Sequence, residues 1–235
     1  MNANDRIIVA LDFENAASAT ALVDKLGASA HFYKVGLQLL TAEGPSVVRQ
    51  LVAAGKEVFL DLKLLEIPNS VVGAVSAAGR LGVSMVTVHA SGGSAVLRAA
   101  VEAARQFPRL KILALTVITS MRGEDLGEVG VHSTVQEQVL RLALLASSAG
   151  CHGVVASPQE APLLSGALPH GILIVTPGTQ LPGDAATDQI RTATLAEAIR
   201  AGSTHLVVGR SISRSADPLA AFTEACRQVR EATAQ

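Results

Sequence analysis

The chain is 235 residues long, 49% hydrophobic and 17% charged, with a formal net charge of −1. That apolar content excludes a disordered chain, and at roughly 100–200 residues per domain the length fits one large domain spanning residues 1–235. With 19 Lys+Arg against 20 Asp+Glu, a broad nucleic-acid-binding face is not expected, although a few cations can still converge on an anionic small molecule.

Short apolar runs alternate with longer Ala/Leu-rich stretches along the whole chain. The predicted strands are Arg6–Leu11, Phe32–Val35, Glu57–Leu62, Met85–His89, Lys111–Ile118, Gly153–Ala156, Ile172–Thr176 and His205–Val208. Their Val, Ile, Leu and Phe content suits strands buried on both faces of a parallel sheet. The predicted helices are Ala16–Leu26, Leu39–Ala54, Val71–Leu81, Ser94–Gln106, Thr134–Ala149, Pro158–Gly166, Leu195–Ala201 and Pro218–Ala232. Thr134 with Glu137 has the spacing of a capping box, and Asp217-Pro218 that of an N-cap followed by proline at the first helical position. Gly27, Gly55, Gly82 and Gly150 stand where helices should stop. Eight βα units at about 29 residues each predict an α/β fold, a single-domain (β/α)8 TIM barrel. An open doubly wound sheet is the alternative that the same alternation would feed.

Cys151 and Cys226 have neither a disulfide framework nor metal-type spacing, which predicts buried thiols in a reducing compartment. Met1-Asn2-Ala3-Asn4-Asp5 lacks a signal-peptide pattern, and the uncharged stretch from Leu142 to Pro158 is broken by serines and glycines. The expectation is a cytoplasmic protein with no membrane and no nucleic-acid partner. None of the six histidines has a companion at ligand spacing, so no metal is expected; His89 alone, at a strand end, stands out.

In a barrel of this kind the working site lies at the C-terminal ends of the strands. Those ends carry Asp12, Lys34, Asp61 with Lys63, His89, Thr119 with Ser120, Pro177-Gly178, and Gly209-Arg210-Ser211. Asp61 and Lys63 are two apart, so on a strand they share a side. An ionised carboxylate inside the apolar run at 57–65 must be paired, and Lys63 and Lys34 are the available partners. Such a set is either a structural ion pair at the barrel mouth or a lysine usable as a general acid or fixed positive charge. The glycines and Arg210 after the last two strands have the makings of a phosphate site.

The segment Asp61-Leu62-Lys63-Leu64-Leu65-Glu66-Ile67-Pro68-Asn69-Ser70 resembles the D-x-K-x-x-D-I-P-N-T signature of the orotidine 5′-phosphate decarboxylases. The resemblance extends in family order through Ala10-Leu11-Asp12, Tyr33-Lys34-Val35-Gly36, Val88-His89-Ala90, Leu115 to Ser120, Val175-Thr176-Pro177-Gly178, Asp188-Gln189 and Val208-Gly209-Arg210-Ser211-Ile212. It covers essentially the whole chain and is closest to the bacterial branch. It implies conversion of orotidine 5′-phosphate to UMP, the last step of UMP synthesis, without metal or organic cofactor. By position it makes Lys34, Asp61, Lys63 and Glu66 the catalytic charged array, with Lys63 donating a proton to C6 and Asp61 against the departing carboxylate. Asp12 and Lys34 would hold the ribose, with Ile67 and Ser70 contributing to the substrate site. Thr119 would read the pyrimidine edge, Gln189 would bridge base and phosphate, and Gly209 and Arg210 would bind the phosphate, beside Gln180. Glu66 and Ser70 match residues supplied by a partner subunit, which implies a homodimer with shared sites.

Two positions depart from the family pattern. Glu66 replaces the usual Asp, and Gln180 replaces an Arg common in bacterial members, removing one phosphate donor. The nearest rival resemblance is 3-keto-L-gulonate 6-phosphate decarboxylase, a Mg2+ enzyme that typically carries Glu where Lys34 stands here. A catalytically silent phosphate-binding homologue is the other alternative.

Overall fold

The computed structural model describes residues 2–181 and 191–234. Eight parallel strands form a barrel: Ile7–Ala10, Phe32–Gly36, Glu57–Leu64, Met85–His89, Lys111–Leu115, Gly153–Val155, Leu173–Thr176 and His205–Val208. The first strand pairs with both the second and the eighth, so the sheet closes and the open doubly wound alternative is excluded. A separate two-residue pairing joins Thr179–Gln180 to Ala193–Thr194.

Each predicted helix forms within a few residues of its expected position, with one exception, and the short helices Ala3–Arg6, Gly123–Glu128 and Arg210–Ser213 are additional to those predicted. The single helix expected over Leu39–Ala54 is two, Leu37–Glu43 and Ser46–Ala53. Gly44, at φ +65°, turns its N–H onto the Leu40 carbonyl, and Pro45 has no N–H to continue the ladder. Both pieces bury the same side through Leu39, Val47, Val48 and Leu51, which is why the apolar period runs unbroken across the turn. The fifth strand also ends at Leu115, short of Ile118. The predicted caps form: Thr134 and Glu137 exchange bonds of 2.8 and 3.2 Å, and the Asp217 carboxylate accepts from the Ala220 N–H at 3.0 Å. Both cysteines are buried and unpaired, as their spacing predicted.

Alternation divides the strand residues between two apolar layers. Ile7, Val9, Val35, Val58 and Val86 face the helices, whereas Ile8, Ala10, Phe32, Phe59, Met85, Leu113, Leu115, Val155, Val175 and Val207 fill the barrel. Gly153 is required where the filling is tightest. A Cβ there would lie 2.6 Å from the Leu173 Cβ, 2.7 Å from the Leu173 carbonyl oxygen and 2.8 Å from Leu113. At the barrel floor the buried His205 imidazole meets the Phe32 ring edge-on, and burial, aided by Lys111 and Arg6, pushes its pKa down to about 4.

Two stability predictions follow from this core. Gly153→Ala should destabilise the barrel by about 1–3 kcal/mol, whereas Gly127→Ala, on an open helix face, should change stability by less than about 1 kcal/mol. Urea unfolding of the two variants checks this, and equal midpoints would contradict it. His205 binds its proton near pH 6.5 when unfolded but only near 4 when folded, so stability falls as pH drops through that window. Between pH 7 and 4, wild-type protein should lose about 3 kcal/mol more than His205→Gln. Parallel stability–pH curves would remove His205 as the cause.

Candidate active site

The barrel filling changes character toward the C-terminal mouth. Two residues beyond Phe32 on the same interior face stands Lys34, two beyond Phe59 stands Asp61, and two beyond Met85 stands Thr87. Asp12 follows Ala10 in the same register. Strand parity therefore places an apolar plug below and a polar layer above it.

The charges in that layer alternate. Asp12 Oδ1 lies 2.8 Å from Lys34 Nζ, Lys34 Nζ lies 4.0 Å from Asp61 Oδ2, and the same Asp61 oxygen accepts from Lys63 Nζ at 2.9 Å. The Asp61 and Lys34 side chains are only 13% and 11% exposed, so each charge depends on its neighbours for compensation. Gly36 leaves room for this chain: a Cβ there would come within 3.0 Å of Lys34 Nζ.

Asp61 and Lys63 meet by a route that simple alternation does not describe. On the third strand Leu60 pairs with Val86 and Leu64 pairs with Val88, so the third strand bulges across Asp61, Leu62 and Lys63. Lys63 has φ +51°, the only described non-glycine residue in the left-handed region, a conformation that costs about 1–2 kcal/mol. Its N–H donates to Thr87 Oγ1 at 2.9 Å, and the same hydroxyl donates to Asp61 Oδ1 at 2.9 Å. The fully buried Thr87 thus fixes both the bulged backbone and the second carboxylate oxygen. Sequence reasoning missed it. The available signal was a polar residue at an inward position of the apolar run Met85–His89.

His89 has a local task. Its Nδ1 accepts from the Ser91 N–H at 3.3 Å and lies 2.6 Å from the Ser91 hydroxyl, capping the turn Ala90–Gly92. Burial and then the Lys63 charge lower its pKa, which leaves the ring neutral at pH 7.

The remaining predicted residues surround the mouth without all converging. Thr119 is buried on the loop after the fifth strand, and Gly209 and Arg210 follow the eighth strand, which neighbours the Asp12 strand. Gln180 lies in the two-residue pairing beyond the seventh strand, and Gln189 lies outside the described residues. Glu66, Ile67 and Ser70 are exposed, and among the described residues the Glu66 carboxylate accepts its neighbour's N–H, from Ile67 at 2.8 Å. Among the described residues, no hydrogen bond or ion pair joins them to the Asp61–Lys63 pair. Among the described residues, no three His, Cys, Asp or Glu side chains form a metal-binding group. No helix there is long and apolar enough to cross a membrane.

Residues 5–225 match the family described as orotidine 5′-phosphate decarboxylase / HUMPS. Orotidine 5′-phosphate decarboxylase of Moorella thermoacetica is 48% identical over 228 residues, covering 94% of this chain and 90% of its own. The enzyme of that name from Pseudomonas aeruginosa is 48% identical over 218 residues, covering 92% and 94%. The crystal structure of orotidine 5′-phosphate decarboxylase from Lactobacillus acidophilus superimposes with a TM-score of 0.85 at 35% identity, covering 95% of this chain and 98% of that one.

Steady-state kinetics on Thr87 variants test the bulge as the device that sets the charged pair. Thr87→Val, of the same shape, should lower kcat by about 10- to 100-fold, and Thr87→Ser should restore most of it. A valine variant at the wild-type rate would show the hydroxyl to be dispensable.

Proposed function

The chain belongs to the orotidine 5′-phosphate decarboxylase / HUMPS family, and from that premise we infer that it converts orotidine 5′-phosphate to UMP in pyrimidine biosynthesis, with Lys63 as its proton donor. The observation that carries the residue roles is the Asp61–Lys63 contact of 2.9 Å at the end of an apolar barrel, bracketed by Lys34 and Thr87.

The chemistry explains the need for such a site. Loss of CO2 from C6 leaves the bonding electron pair on a ring carbon with no π-system to receive it. The enzyme must therefore lower the barrier by roughly 20 kcal/mol. The Lys63 ammonium, already held in place, meets the developing charge without reorganising, and no solvent has to rearrange. As the C6–carboxylate bond breaks, an N–H proton of Lys63 passes to C6, and the amine regains a proton from water. Asp61 holds Lys63 by charge and stands beside the departing carboxylate, where two like charges disfavour the bound substrate more than the transition state. Asp12 and Lys34 hold the ribose, Thr119 reads the base, and Gly209 with Arg210 takes the phosphate. Gln189, and Gln180 in place of an arginine, complete the phosphate end. Binding energy from that distant group helps to orient the pyrimidine. The whole chain acts as one domain, in the cytoplasm, and no cofactor enters the scheme.

The active unit is a homodimer in which Glu66, Ile67 and Ser70 complete the partner's site. In one chain Leu65 and Ile67 are 58% and 63% exposed on either side of Glu66, an apolar loop left in water. A facing subunit would cover it and bring Glu66 toward the array that it cannot reach at home. Glu66 is one methylene longer than aspartate, so the loop has to seat its carboxylate about 1.5 Å farther from its Cα.

Two experiments test this reading. EDTA-treated protein should convert orotidine 5′-phosphate to UMP, followed by ultraviolet absorbance; turnover only with added Mg2+, or UMP binding without turnover, would overturn it. Mixing inactive Lys63→Ala and Glu66→Ala chains should regenerate up to about one quarter of wild-type activity, because random heterodimers hold one intact site. No recovery after verified subunit exchange would contradict shared sites.

A further inference from the structure

A second buried ion pair lies away from the charged array. The Glu160 and Arg191 side chains are 2% and 9% exposed, with Glu160 Oε1 2.7 Å from Arg191 Nη1. Every nitrogen of the guanidinium has a partner: Nη2 donates to the Ile118 carbonyl at 3.1 Å and Nε to the Thr119 carbonyl at 3.4 Å. The second Glu160 oxygen accepts from the Ser157 hydroxyl, which is itself fully buried. One planar group therefore joins the loop after the fifth strand, the turn after the sixth and the chain at 191.

Burying two charges is costly, and an apolar pair of the same size would serve stability as well or better. What the ion pair supplies is geometry. Arg presents several donors in a fixed plane, and Glu160 sets that plane from the opposite side. The carbonyls that it grips lie beyond Leu115, where the barrel ladder no longer holds the fifth strand. A turn bond from the Met121 N–H also reaches the Ile118 carbonyl. Thr119, whose own carbonyl is one of the two that Arg191 grips, is buried.

We propose that Arg191, oriented by Glu160, is a positioning residue that holds the Ile118–Thr119 backbone so that the Thr119 hydroxyl can read the pyrimidine edge. The pair thereby governs recognition of the base rather than of the sugar phosphate. This rests on the assignment of Thr119 to the base made above.

The experiment compares UMP with ribose 5-phosphate, which keeps the sugar phosphate and lacks the base. Titration calorimetry on wild type, Arg191→Lys, Glu160→Gln, Thr119→Ala and the Arg191→Lys/Thr119→Ala double variant gives the affinities. Arg191→Lys should weaken UMP by about 10-fold and leave ribose 5-phosphate within about 2-fold. In the Thr119→Ala background it should weaken UMP by less than about 2-fold, since the group that it positions is gone. Glu160→Gln, nearly the same in size, should repeat the selective loss and serves if Arg191→Lys does not fold. Equal losses for both ligands, or the same UMP loss with and without Thr119, would overturn the positioning role alone. If Thr119→Ala by itself leaves UMP affinity unchanged, the assignment of Thr119 to the base fails and takes the inference with it.

Discussion

A carboxylate nearly removed from water is the constraint around which this molecule is arranged. Asp61 sits at the top of an apolar barrel, and its ionised form is tolerable only with full compensation. Lys63 and Lys34 supply the charge and Thr87 supplies a hydrogen bond to the oxygen that the lysines leave. The dependence is mutual, because two ammonium groups this close would repel without the carboxylate between them. Asp12 then satisfies Lys34 on its outer side. The result is a chain of alternating charges whose members stabilise one another but whose geometry only the barrel can set.

The barrel sets it by two means. Regular parity brings Asp12, Lys34, Asp61 and Thr87 to one layer, because each stands two residues beyond an interior position. Lys63 is placed by an irregularity, the bulge that breaks register between the third and fourth strands and holds Lys63 at positive φ. Strain of this kind persists where the surroundings over-determine it, and here Thr87 anchors the bulge from the adjacent strand. The loops proposed to take the phosphate follow the seventh and eighth strands, with the first strand between the eighth and the Lys34 strand. On the proposed assignments the phosphate lies at a different part of the mouth from the Asp61–Lys63 pair, so that remote binding energy can serve the chemistry.

Much of this was legible in the sequence. Alternating apolar runs and helical stretches pointed to eight βα units, and the caps at Thr134 and Asp217 formed where their spacing placed them. The break at Gly44-Pro45 was missed because both helices bury the same side, which apolar periodicity alone cannot distinguish from one long helix. Asp61 and Lys63 were paired correctly, but on the premise of a regular strand; the bulge depends on register with a strand distant in sequence. Thr87 and Arg191 were missed for a related reason. Their partners are set by folding, across 24 and 26 residues for Thr87 and 31 to 73 for Arg191. His89 stood out as a strand-end histidine, and local capping accounts for it.

On the proposed mechanism, a lysine held against a buried carboxylate performs the chemistry while other parts of the mouth bind the nucleotide. Lys63→Ala, assayed for both turnover of orotidine 5′-phosphate and affinity for UMP, tests it most directly. In this variant kcat should fall by about 10⁴-fold or more while UMP affinity stays within about 10-fold of wild type. Turnover within about 100-fold of wild type would contradict the claim, and so would turnover and UMP affinity lost in equal measure.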